Sequence, residues 1–285
     1  MMDHGRFEYS PIIDRPPLKW PNGARVAMWV IPNVEHFHFD RLYGGTATTP
    51  PDVIAYAPRD YGNRVGVWRL MDMFDRYKIR ATAALNAEIC EFEPRIIEEG
   101  NKRGWEWMGH NLTNSTLLAG LDEAQERHII SETVRIITSG TGKAPRGWLG
   151  SGLAETVRTP DILTEHGIQY VGDWVNDDQP YPMKTAHGPL YAIPYSSEIN
   201  DLPQYSRRNV TPMEFARMIR DQFDTLYAEG EHSGRVMAIC LHPFVSGVPH
   251  RVKYLDEALA YIAGHDHVWW ATGSEIIEAY KAAVS

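Results

Sequence analysis

Three residues able to move protons stand close behind short apolar runs of this sequence. Glu35 follows the run Arg25–Ile31, His110 follows Trp105–Met108, and His242 follows Arg235–Leu241 directly. A carboxylate and two imidazoles are the groups that general acid–base chemistry uses. A carboxylate in apolar surroundings has its pKa raised towards neutrality, and histidine titrates near physiological pH. Other polar clusters recur at equivalent places. They are Asn33 and His36 beside Glu35, Asn111 and Asn114 after His110, and Gly150-Ser151-Gly152. Asn176-Asp177-Asp178 behind Trp174, and Glu198 with Asn200-Asp201 behind Tyr195, complete the series. One polar strand-end loop is ordinary, because such loops are solvated. Six in register at the same end of successive strands read as a catalytic ring.

The elements that must position these groups alternate along the chain. Near-continuous apolar runs, as in Arg25–Ile31 ending at Pro32, are those of strands buried on both faces. Further strands are expected at Ile79–Leu85, Trp105–Met108, Gly147–Leu149, Gln169–Asp173, Tyr191–Pro194, Arg235–Leu241 and Val268–Ala271. Helices are expected at Val65–Tyr77, Pro94–Arg103, Asp122–Thr138, Pro160–His166, Pro212–Glu229, Tyr254–Ala263 and Gly273–Ala283. Short apolar strands alternating with helices imply a parallel sheet. Without a glycine-rich phosphate loop, a barrel is favoured over a dinucleotide-binding fold. In such a barrel the chemistry sits at the C-terminal ends of the strands. The Pro-rich, charged residues 1–24 read as an arm outside one catalytic domain, 25–285.

Composition narrows the function classes. The 285 residues are 43% hydrophobic and 23% charged, which is ordinary for a globular protein. With 28 Lys and Arg against 37 Asp and Glu, the net charge is −9. An acidic chain lacks the footprint of a nucleic-acid binder and does not suit an anionic membrane surface. No run approaches the roughly 18 apolar residues of a membrane span, and no signal peptide is visible. Cys90 and Cys240 are far apart and read as reduced thiols of a cytoplasmic enzyme.

Glu35, His110, Arg146-Gly147-Trp148, Asp173-Trp174 and Leu241-His242-Pro243 fall in the order of the motifs of the polysaccharide deacetylase (NodB homology) superfamily, which the chain resembles over residues 25–275. Three further segments look like the bacterial allantoinase branch and its cyclic imide hydrolase relatives. They are Tyr61-Gly62-Asn63-Arg64-Val65-Gly66-Val67-Trp68-Arg69, Asn176-Asp177-Asp178-Gln179-Pro180-Tyr181, and Pro194-Tyr195 with Asn200-Asp201. The resemblance implies a single-domain distorted (β/α) barrel with fewer than eight regular strands. It also implies a hydrolase opening the C–N bond of a small cyclic amide, imide or ureide, assembled as a dimer or tetramer.

The departures from the sugar deacetylase pattern bear on the metal. The superfamily's Asp-Asp pair is replaced by Asn33-Val34-Glu35-His36, and its His-x-x-x-His by His110-x-x-x-Asn114. A carboxamide oxygen is a poor zinc ligand. No catalytic metal or other cofactor is therefore expected; a zinc site would need Glu35 and His110 with His36 or Asn114. Glu35 is the candidate base. His110 and His242 are candidates for polarising the carbonyl and protonating the leaving nitrogen, in either order. Arg64 offers a planar fork for a dicarbonyl face, or a salt bridge to Glu35 or Asp177. Tyr61, Asn114, Trp148, Trp174, Asp177 and Tyr195 are candidate substrate contacts, although aromatics are more often core. Competing readings are a metal-dependent N-deacetylase of amino sugars or peptidoglycan, and an inactive barrel used for binding. The identity of the ring is not legible.

Overall fold

A computed structural model describes residues 4–284. Its regular elements are β1 (Val26–Val34), α1 (Val53–Tyr61), α2 (Val67–Arg76), β2 (Thr82–Leu85), α3 (Ile89–Phe92), α4 (Pro94–Lys102), β3 (Glu106–Gly109), α5 (Glu123–Thr141), β4 (Gly147–Trp148) and α6 (Thr159–Glu165). They continue as β5 (Tyr170–Val171), β6 (Tyr181–Met183), β7 (Leu190–Ala192), α7 (Asp201–Ser206), α8 (Pro212–Glu229), β8 (Arg235–Leu241), α9 (Pro243–Ser246), α10 (Pro249–Ala263), β9 (Val268–Trp270) and α11 (Gly273–Val284). The strand order is β6-β7-β5-β4-β3-β2-β1-β8, with β9 also on β1. Every pairing is parallel except β6 with β7. Among the described residues there are nine strands, and only β1, β2, β3 and β8 exceed three residues. This is the distorted barrel that the alternation of strands and helices predicts.

The period of two in β1 separates two cores. Val26, Met28, Val30 and Val34 face outward onto α2, α8 and α10, packing with Leu70, Phe74, Phe223 and Leu259. Ala27, Trp29 and Ile31 face inward with Met108, Tyr170, Tyr195 and Cys240. The barrel interior is thus filled with side chains, a packed floor rather than a pore. Cys90 and Cys240 are free thiols, as expected. Among the described residues no helix is long and apolar enough to cross a membrane.

Local signals explain the elements that match expectation. α8 has the expected bounds because Thr211 and Glu214 form a capping box around Pro212 at the first helical position. Asp122 and Gln125 do the same for α5. Four differences have physical causes. β1 does not stop at Pro32. It pairs with β8 up to Pro32–Leu241 and then passes to β2 at Asn33 and Val34. α1 lies in a stretch with no expected element, because none of its residues is buried. The antiparallel strand β6 is too short to show a period. α10 begins at Pro249 rather than at Tyr254, with the proline in its first turn.

Residues 4–24 hold no strand or α-helix. They are tied down by Arg15 on Asp177 at 2.6 Å, Arg6 on Asp161 at 2.7 Å, and the buried Leu18 and Trp20.

Gly109, immediately before His110, is a test of how tightly this scaffold is set. A Cβ there would lie 2.7 Å from the ring of the fully buried Trp148. Gly109→Ala is expected to lower unfolding stability by about 1–3 kcal/mol, as overpacking does. Urea denaturation measures it; an unchanged midpoint would mean that Trp148 yields freely.

Candidate active site

The inward phase of the strands continues one step past their ends and brings the chemistry together. Ile31, Ala84, Met108 and Cys240 line the interior, so Asn33 and Glu35, Asn86, His110 and His242 follow on the same face. Backbone bonds hold the register beyond the sheet. Asn86 N donates to Val34 O, and His110 N donates to Leu85 O, at 3.1 and 3.0 Å. Asn111, next in line, takes a left-handed conformation (φ 58°) that turns the chain away after His110, a geometry asparagine tolerates.

Glu35 stands between two histidines. Its Oε1 lies 3.5 Å from His110 Nε2 and 3.6 Å from His242 Nε2, and all three side chains are almost fully buried. Its Oε2 is buried without a hydrogen-bond partner. Asn63 Nδ2 donates to the Glu35 carbonyl at 2.9 Å. Each histidine is oriented through its other nitrogen. His110 Nδ1 meets Leu149 O at 2.5 Å. His242 Nδ1 meets Asp201 Oδ1 at 2.7 Å, and Asp201 Oδ2 accepts from His242 N at 2.8 Å and Ser246 Oγ at 2.6 Å. Asp201 is completely buried at the start of α7.

These contacts set the charges. Burial alone drives the Glu35 carboxyl upward, which is what the sequence predicts. His242, His110 and Asn114 outweigh it, and the carboxyl lies below its ordinary value. Burial likewise pushes the His242 imidazole down, but Glu35 and Asp201 outweigh it and raise it above 6.5. Glu35 is therefore a carboxylate near neutrality, and His242 holds its proton to higher pH than a free imidazole does. Glu35 contributes stability above its ordinary carboxylate range that is lost as pH falls through its lowered value. His242 contributes below 6.5 and loses that contribution as pH rises through its raised value. The pair is intact between those limits.

Glycines fix the wall beside His242. Residues Gly62–Gly66 form one turn of π-helix between α1 and α2. A Cβ on Gly62 would lie 2.7 Å from Phe244 N, and one on Gly66 2.1 Å from Pro243 O. Only bare backbone lets the turn seat against the segment following His242. Arg59, on α1, lies in the same wall, its guanidinium 4.7 Å from the Phe37 ring, 5.2 Å from Tyr43 and 5.6 Å from Phe244. Burial depresses Arg59 and the nearby Glu35 charge opposes this.

The structure gathers some predicted site residues and disperses others. Glu35, His110, His242 and Asn114 are together. Tyr195 lies beneath them, its hydroxyl 3.2 Å from Asn33 Nδ2. Arg64 is not with them: its side chain is 74% exposed and faces Asp60 at 3.5 Å. The unexpected π-turn and α1 put Arg59 in the wall instead. Tyr61 bonds Arg69, which also reaches Gly247 O. Trp148 is fully buried among Ile130, Ile162 and Leu163. Trp174 bonds Glu155 at 3.1 Å and lines a separate cavity of about 650 Å³ with Arg6 and Asp173. Asp177 is engaged by Arg15. Sequence reasoning missed the roles of Arg59, Asn63, Asn86 and Asp201. Asn86 follows β2 at the inward phase, so applying the strand-end rule to Leu85 would have found it. Ser151, in the polar cluster Gly150-Ser151-Gly152, donates to Asn114 Oδ1 at 2.5 Å.

The metal set of the sugar deacetylases does not fit here. Asn114 Oδ1 already accepts from Ser151 Oγ and, at 3.2 Å, from Asn86 Nδ2. His36 does not replace it, since its ring faces Glu88 and Glu93 and stacks on Phe92. His242 is the remaining imidazole beside Glu35, but it is held by Asp201, and the ligand atoms of Glu35, His110 and His242 do not gather within 4.8 Å of one another as a metal set would.

A parallel barrel with a carboxylate between two oriented histidines at its strand ends defines a hydrolase-type acid–base centre. Comparisons with known proteins agree. Residues 48–171 match the family model for polysaccharide deacetylase. A peptidoglycan deacetylase of Helicobacter pylori is 26% identical over 274 residues, 84% of this chain and 90% of that protein. A crystal structure of a probable polysaccharide deacetylase from Pseudomonas aeruginosa PAO1 superposes with a TM-score of 0.87 at 28% identity, covering 94% and 95% of the two chains. The crystal structure of PuuE allantoinase gives 0.86 at 27% identity, covering 94% of each. In sequence and in fold the chain is similar to the hydrolases of the polysaccharide deacetylase superfamily.

The Asp201–His242 bond has a direct test. Proton NMR of the His242 ring is expected to titrate above 6.5 in the wild type and to move downward in Asp201→Asn, because a neutral amide supports the imidazolium less. An unmoved titration would remove Asp201 as the partner.

Proposed function

We propose that this protein hydrolyses the C–N bond of a small cyclic amide, imide or ureide without a catalytic metal. The observation that carries the reading is Asn114 in the position of the second metal histidine, its carboxamide oxygen occupied by Ser151 and Asn86. PuuE allantoinase, similar over nearly the whole chain, supports the same substrate class.

In this reading Glu35, ionised at neutral pH, takes a proton from water as it attacks the ring carbonyl. Oε2, which has no hydrogen-bond partner, is the oxygen available to hold that water. His242, held protonated by Asp201, delivers a proton to the leaving ring nitrogen. His110, its Nδ1–H donated to Leu149 O, directs Nε2 into the site, and Arg59 supplies positive charge from the wall for the developing oxyanion. Phe37 and Phe244, rather than Trp148 or Trp174, supply aromatic surface against His242, whose ring is 5.6 Å from Phe244. Opening a ring consumes one water and releases no second product, so a closed, buried site is adequate for it.

The second reading, a metal-dependent N-deacetylase, draws on the Helicobacter pylori relative. One experiment separates the two. Purified protein is assayed on allantoin, hydantoin, dihydrouracil, succinimide, maleimide and N-acetylglucosamine oligomers, before and after chelation. Ring opening is expected, and is expected to survive chelation. Glu35→Gln is expected to retain the fold and lose at least about 1,000-fold in kcat/KM, a size typical for removing a catalytic base. Acetate release confined to the oligomers, or ring opening abolished by chelation and restored by zinc, would overturn the proposal.

A further inference from the structure

One residue beyond Glu35 the chain presents a second set of ligand-type side chains. His36, His38 and Glu88 each place one ligand atom so that all three lie within 4.8 Å of one another. His38 Nε2 bonds Glu88 Oε2 at 2.7 Å, and His36 Nε2 lies 3.8 Å from the same oxygen. His36 Nδ1 lies 3.6 Å from Glu93 Oε1, and Glu93 Oε2 is buried without a partner. Both His36 separations are too long for hydrogen bonds. The one from Nε2 to Glu88 is near the spacing of about 3.4 Å that two donors adopt across a tetrahedral ion with bonds near 2.1 Å.

From this geometry we propose a zinc-type divalent metal site formed by His36 Nε2, His38 Nε2 and the Glu88 carboxylate. Two imidazoles and a carboxylate are a donor set that zinc accepts with a fourth position left to water, whereas calcium and magnesium favour oxygen. Glu93 completes the arrangement as the outer carboxylate that receives the Nδ1 proton of a ligating histidine. The frame is already assembled. His36 N donates to Asn86 Oδ1 at 2.8 Å, and His38 N to Ser115 Oγ at 2.9 Å. Phe92 stacks on the His36 ring at 4.7 Å. The ligand side chains are 15%, 34% and 21% exposed, so an ion can reach them. Because Glu35 and His36 point to opposite sides of the extended chain, the ion would not touch substrate. It would clamp the segment that carries Glu35 onto the start of α3.

Calorimetric titration of zinc into metal-stripped wild-type protein tests this. One ion per chain is expected, with affinity falling at least tenfold in His38→Ala and in Glu88→Gln, and retained in Glu35→Gln. Thermal unfolding verifies that each variant is folded. Should a variant not fold, wild-type NMR gives the answer. Zinc must shift the ring signals of His36 and His38 and leave those of His110 and His242 in place. Absence of saturable binding, unchanged affinity in both variants, or zinc shifting only the His110 and His242 rings overturns the site. The last outcome alone also counts against the metal-free hydrolase; the other two leave that reading intact.

Discussion

A carboxylate buried as deeply as Glu35 must be compensated, and the arrangement of the barrel's upper end follows from how that is done. Removing one partner of a buried ion pair typically costs about 3–5 kcal/mol. Here the compensation comes from His242 and His110, which approach one carboxylate oxygen from two strands. Neither histidine could do this freely rotating. Leu149 O holds one ring, and Asp201 holds the other by ring and backbone together. Each of these holders is itself fixed by sheet register or by a helix start. The charge in the middle is thus stabilised by elements drawn from most of the barrel.

The same compensation gives the centre its chemical asymmetry. The balance of partners holds the Glu35 carboxyl down in its charged form and raises the imidazole beside Asp201. Groups whose environments drive their protonation apart are what acid–base catalysis needs. Arg59 adds a cation that is itself poorly hydrated, enclosed by Phe37, Tyr43 and Phe244. The opposite side of the chain, at His36 and His38, is chemically separate although it is adjacent in sequence.

Much of this was legible in the residues alone. Period and apolar runs placed β1, β8 and α8 closely, and the strand-end rule led to Glu35, His110 and His242, because those signals are local. What was not legible depended on tertiary contact. Arg64 and Arg59 are both plausible in sequence, and only the π-turn forced by Gly62 and Gly66 against the Pro243 backbone decides which faces inward. Trp148 and Trp174 sit beside strand ends, yet register turns the first into the helical layer and Glu155 draws the second to another cavity. The direction of the Glu35 shift also escaped, since burial is visible in an apolar context but two converging histidines are not.

The sheet does not close by a continuous ladder. Between β8 and the β6–β7 end of the sheet, the seam is spanned by Val236 N on Asp178 O, Cys240 N on Ile199 O and the isolated bridge of Asn200 with Cys240. Asp201 is carried by this seam segment, whereas Glu35 and His110 belong to the paired side. Sub-global opening of such a seam costs less than melting the sheet. It would release His242 from its carboxylate while the other two groups stayed seated. The proposed centre thus draws one of its three groups from the open seam and two from the continuous ladder, so that its assembly depends on the barrel being closed.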